Sequence, residues 1–211
     1  VIDDAGGSSV FEYVDGALRI HDSAGVGVLT NDPDFRFHLQ NLDQFGAFPV
    51  RADGVTLRFP LTAASEIGAV PSQVSHGAAT RWLPGGYAPP DRFVRAFLLK
   101  QLATTVAPPK DTDAGIELVT GLLNNVHIVR GTVARLGAHD SYELTHWALI
   151  KLPRQRQFLY RSYGNMQWKR LTLSALSLDD PSRTPGPIPI FVDGLGIKDV
   201  TPPPREVEDS R

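Results

Sequence analysis

Apolar and polar residues alternate from Ser9 to Val14 and again from Ala17 to His21, with Asp15-Gly16 between the two runs. Period-two alternation on both sides of an Asp-Gly pair predicts a β-hairpin, because these residues tolerate the positive φ of a tight turn. Asp22 to Gly25 turns the chain into a short apolar run, Val26-Gly27-Val28-Leu29, which reads as the end of a buried third strand finishing at Thr30. Asn31-Asp32-Pro33 breaks the run, and apolar residues resume at Phe35, Leu39 and Leu42 with helical spacing. A helix from Pro33 to about Phe45 is expected, capped by Asn31 or Asp32, with Pro33 in the first turn where a missing N–H costs nothing.

Residues 46–88 have no period, since Gly or Pro interrupts every apolar run; short strands such as Val55 to Phe59 fit inside. A connection of this length reads as a functional loop, lid or insertion. Pro89-Pro90-Asp91 opens a second helix whose apolar stripe is Phe93, Val94, Phe97, Leu98 and Leu102, with Asp91 favourably placed against the helix dipole. Thr112 or Asp113 opens a third, with Ile116, Val119, Leu122, Leu123 and Val126 as its core stripe. Alternation then predicts strands at 142–151, 157–163 and 166–173, joined by Pro153-Arg154-Gln155-Arg156 and Gly164-Asn165. The order of strands, helices and strands with hairpin links implies an α+β fold, antiparallel sheets with helices on one face. Residues 1–175 form the domain, with 46–88 as its insertion, and 176–211 form a Pro-rich extended tail.

Composition changes this picture little. The chain has 211 residues, 42% hydrophobic and 21% charged, as in an ordinary globular domain. A net charge of −2 gives no electrostatic reason to expect nucleic acid as a partner. No run approaches the roughly 18 apolar residues of a membrane span. Val1-Ile2-Asp3-Asp4 has neither the basic start nor the apolar stretch of a signal peptide. The absence of cysteine is more restrictive, because it removes disulfides, thiolate metal sites and any thiol nucleophile from these residues.

Among chemistry-bearing residues, the six histidines show no metal-binding spacing, so no metal or cofactor is expected. No serine sits in a nucleophile elbow, and Gly85-Gly86 lacks the Lys-Ser/Thr of a phosphate loop. Asn31, at the break after the apolar run, is either a turn or cap residue or a carboxamide able to polarise a carbonyl. Trp82, Tyr87 and Phe93 are either ordinary packing or the lining of an apolar pocket.

Three stretches, Phe11-Glu12-Tyr13-Val14-Asp15-Gly16, Val28-Leu29-Thr30-Asn31-Asp32-Pro33 and Leu83-Pro84-Gly85-Gly86 through Arg92 to Ala96, together resemble the choloylglycine hydrolase family. That family holds bile salt hydrolases and penicillin V acylases, and the strands around Trp147 and Tyr160 look like its closing hairpins. The resemblance runs over about residues 5 to 173 and corresponds to the family's second half. It implies half of a four-layer αββα N-terminal-nucleophile sandwich and hydrolysis of a linear amide, of bile-salt or penicillin V type, through a cysteine. Asn31 then matches the asparagine that contacts the substrate amide. Arg92 matches the arginine beside the catalytic residues, with Arg95 its competitor one turn along; Trp82 and Tyr87 are substrate-binding candidates from their aromatic side chains alone. The nucleophile would come from a missing N-terminal half or a companion chain. The rival reading is a non-catalytic, hydrolase-like structural subunit of a larger assembly. The acylase branch of the resemblance points to an exported or periplasmic protein; the residues themselves leave the compartment open.

Overall fold

Asp15 and Gly16 take φ of 53° and 76°, closing the expected hairpin of β2 (Ser8–Val14) and β3 (Ala17–Asp22). The structure is a computed structural model that describes residues 2–3, 7–23, 25–45, 50–51, 54–55, 83–134, 141–176 and 188–191. The chain divides into two units, Val1–Glu143 and Leu144–Arg211.

In the first unit β1 (Ile2–Asp3) adds to β2, giving an antiparallel sheet of order β1-β2-β3 with Val10 opposite His21 and Phe11 opposite Ile20. Val10 faces inward and is buried with Phe35 and Phe93, so the helices cover one face of this sheet. Phe11, Tyr13, Leu18 and Ile20 are exposed.

The third strand expected at Val26–Thr30 does not form. Its backbone groups are engaged elsewhere: Val26 and Gly27 donate to the Ser23 carbonyl, and the Lys100 ammonium donates to the Val26 carbonyl at 2.9 Å. Gly27 has φ +58°, and a side chain there would collide with the Lys100 ammonium, so the segment turns rather than extends. Val26 and Val28 still pack on the core.

Helix α1 runs Phe35–Asp43, two residues later than expected at its start. Its cap is Asp34, whose carboxylate accepts from Phe37 N at 2.8 Å, rather than Asn31 or Asp32. The Glu12 carboxylate on β2 accepts from Phe35 N through both oxygens, at 2.9 and 3.1 Å, so two anions meet the helix N-terminus and Pro33 stays outside it.

The described parts of 46–88 include the small ladder of β4 (Val50–Arg51) with β5 (Gly54–Val55); the proposed strand at 55–59 lies mostly outside the described residues. Helix α2 (Pro89–Val106) begins on its two prolines and buries Phe93, Val94, Phe97 and Leu98. It packs against both α1 and α3 (Thr112–Asn125), the latter capped by the Asp111 carboxylate on Ala114 N at 2.8 Å. The expected core stripe of α3 is only half-buried, and Val119 is exposed, because α3 meets α2 along one side. β6 (Val133–Ala134) pairs with β7 (Tyr142–Glu143).

The second unit is an antiparallel meander of β8 (Trp147–Leu152), β9 (Gln157–Ser162) and β10 (Asn165–Thr172), with β9 central. The single strand expected over 142–151 is thus two strands, with Leu144–His146 outside both. Ile150, Leu159 and Arg161 are buried, the Arg161 guanidinium lying 4.6 Å from the Trp168 ring centroid. Trp147, Leu149, Phe158, Tyr160 and Leu171 line an apolar cleft of about 270 Å³ with Ile188 and Ile190.

Candidate active site

Asn31 and Arg92, 61 positions apart, meet in space: Arg92 Nη2 donates to Asn31 Oδ1 at 2.7 Å. Asn31 is placed by the turn segment just described, anchored behind by Lys100 and ahead by Thr30, whose Oγ1 lies 2.9 Å from His38 Nε2 on α1. Arg92 is placed by the first turn of α2, and its Nε donates to the Tyr87 carbonyl at 2.9 Å. Burial pulls the pKa of Arg92 down, opposed by the Glu143 carboxylate and reinforced by Arg95. A guanidinium remains charged regardless.

This contact settles which end of the amide points where. Arginine carries only donors, so the Asn31 atom facing it is the carbonyl oxygen, and the Asn31 NH₂ group is turned away. Among the described residues that NH₂ meets no acceptor, leaving an oriented donor free.

Arg95 has a different task. It is 7% exposed and donates only to backbone carbonyls: Nε to Asn125 at 2.8 Å, Nη1 to Pro84 at 2.5 Å and to Gly86 at 2.9 Å. It therefore ties α2 to the end of α3 and to the Pro84–Gly86 loop. That loop is tight as well, since a side chain at Gly86 would run into the Asp91 carboxylate. Its end, Tyr87, supplies the carbonyl that holds Arg92.

The model of the linear amide C–N hydrolases, choloylglycine hydrolase family, matches residues 1–185. The chain belongs to this family. It is 28% identical over 180 residues to a bile salt hydrolase/transferase of Clostridium perfringens, covering 85% of this chain and 50% of that one. To a conjugated bile acid hydrolase of Lactobacillus gasseri it is 34% identical over 118 residues, 56% of this chain and 34% of that one. A conjugated bile acid hydrolase structure from C. perfringens superposes with a TM-score of 0.70 at 24% identity, over 93% of this chain and 54% of that one. A penicillin V acylase structure from Agrobacterium tumefaciens gives 0.55 at 22% identity, over 82% of this chain and 44% of that one. The chain thus spans half or less of the curated relatives just named, and its α+β fold is that of the N-terminal-nucleophile hydrolases.

Within this choloylglycine hydrolase fold, the structure brings together Asn31, Arg92 and the backbone of Tyr87. Trp82 lies outside the described residues, and Phe93 is fully buried against Phe35 and His38. Sequence reasoning missed His38, which is fully buried and joins the Asn31 segment to α1. The available signal was its position three residues after Phe35, on the apolar side of the helix. It also missed Glu12, which has no local signature because its partner is a backbone N–H 23 residues away. Among the described residues no three His, Asp or Glu side chains gather to hold a metal ion, and no helix is long and apolar enough to cross a membrane.

Proposed function

We propose that these residues form one part of the active site of a linear-amide hydrolase acting on N-acyl compounds of bile-salt or penicillin V type. The reading is carried by one observation: Arg92 holds the Asn31 carbonyl oxygen at 2.7 Å and so aims the Asn31 NH₂ group outward as a donor. A cysteine nucleophile supplied from outside these 211 residues attacks the amide carbon. Negative charge develops on the substrate oxygen, and the Asn31 NH₂ stabilises it there, already oriented before the reaction begins. The amine departs with a proton, leaving a thioester that water hydrolyses. Arg92 fixes the amide and places a permanent positive charge beside the nucleophile, which favours the thiolate. Tyr87, whose carbonyl holds Arg92, contributes apolar surface to the acyl side of the substrate.

Steady-state hydrolysis of N-acyl amides by the complete protein tests this. Asn31→Ala should lower kcat by about 10²–10³, the scale of one lost oxyanion donor. An unchanged kcat would remove Asn31 from the mechanism. A complete protein that hydrolyses none of these amides would instead leave the Asn31–Arg92 pair as a structural tie in a non-catalytic subunit.

A further inference from the structure

We propose that His38 is a positioning residue for this site: one buried imidazole sets the separation of the two segments that carry Asn31 and Arg92. The proposal rests on the hydrolase reading for its kinetic consequences, and on geometry for the rest. The ring of His38 is fully shielded from solvent. It stacks on the Phe93 ring with centroids 4.7 Å apart and planes 12° apart, and its Nε2 lies 2.9 Å from Thr30 Oγ1. Thr30 is bonded directly to Asn31, and Phe93 directly to Arg92. A single side chain on α1 therefore touches the covalent neighbour of each member of the pair.

The ring is also held from other sides. Phe37 meets it edge-on at 5.8 Å, and Phe35 meets the far ring, Phe93, edge-on at 6.3 Å. Nδ1 is buried and makes no hydrogen bond of good geometry, and the Pro33 carbonyl favours the protonated ring. With the proton on Nδ1, Nε2 is an acceptor and the Thr30 hydroxyl is its donor. In that tautomer a flat ring with an acceptor at this edge satisfies both neighbours at once. Phenylalanine keeps the stack and loses the acceptor; glutamine keeps an acceptor and loses most of the stack.

The test uses three variants of the complete protein, His38→Phe, His38→Gln and Thr30→Val, with two readouts. One is hydrolysis of an N-acyl amide. The other is the Asn31 side-chain NH₂ resonance in protein labelled with ¹⁵N-asparagine, assigned by its loss in Asn31→Asp. His38→Phe and Thr30→Val should lower kcat by about 10- to 100-fold with KM little changed, the cost of displacing a positioned group by a fraction of an ångström to 1 Å. Both should move the Asn31 resonance, and His38→Gln should restore part of each. If His38→Phe fails to fold, Thr30→Val, which removes a single hydroxyl, decides. Wild-type kcat together with an unmoved Asn31 resonance in Thr30→Val overturns the proposal. If the wild-type protein hydrolyses no N-acyl amide, the hydrolase reading fails and the resonance alone decides on His38: a shift in Thr30→Val upholds the positioning role, and no shift overturns it.

Discussion

Replacing Arg95 with methionine removes a cation and keeps most of the side-chain volume. The guanidinium makes three hydrogen bonds to carbonyls, and the residue is 7% exposed. Hydrogen bonds to an ionised partner contribute about 1.5–3 kcal/mol each. Two offsets reduce the sum. Loss of the cation also relieves the cost of burying it, several kcal/mol for an ion taken out of water. The carbonyls of Asn125 and Gly86 belong to exposed residues and can regain water. A net loss of about 2–4 kcal/mol remains, placing the variant near the upper end of single substitutions. Tm should fall by several degrees. Urea unfolding followed by circular dichroism checks this, with a lower midpoint and an unchanged slope. Arg95→Lys, which reaches fewer of the three carbonyls, should fall between. Because the released loop ends in the Tyr87 carbonyl that holds Arg92, the methionine variant should also lose turnover. A variant within 0.5 kcal/mol of wild type would refute the clamp.

Glu12→Ala removes the carboxylate that accepts from Phe35 N, a tie between β2 and the start of α1. It should cost about 1–2 kcal/mol, the scale of a lost helix cap, measured as a lower urea midpoint. The imidazole of His38 has its pKa lowered from the usual 6.5, chiefly by burial, against the pull of the Pro33 carbonyl and the Glu12, Asp34 and Asp32 carboxylates. Between that lowered value and 6.5 the unfolded chain binds a proton that the folded chain does not. This contribution is complete above about pH 6.5 and is lost as pH falls toward the folded value. The gap in urea midpoint between wild type and His38→Gln should therefore change with pH below about 6.5 and level off above it. A pH-independent gap would refute the neutral, buried imidazole.

The hairpin at 8–22 and the meander after Trp147 were legible because alternation and turn chemistry are local. The helices were legible too, apart from the cap of α1, which is Asp34 rather than Asn31 or Asp32. The Asn31 segment was misread for a definite reason. Val26-Gly27-Val28-Leu29 has the composition of a buried strand, but its carbonyl at Val26 goes to a lysine 74 positions away, which no window reveals. Arg92 and Arg95 are close on the helix, so spacing alone did not separate them. Their partners did: one meets a side-chain amide and one carbonyl, the other only carbonyls. The stripe on α3 was read as core because amphipathicity reports which side faces the protein, not how completely it is covered.

In the proposed mechanism, amide hydrolysis uses a cysteine outside these residues, with Asn31 as the oriented donor. Trapping the acyl-enzyme tests it most directly: the complete protein is mixed with an N-acyl amide, quenched in acid and mapped by peptide mass spectrometry. The expected product is an acylated cysteine that is not among residues 1–211, with the trapped amount formed more slowly in Asn31→Ala. Acylation of a serine or threonine within these residues, or none during turnover, would contradict it.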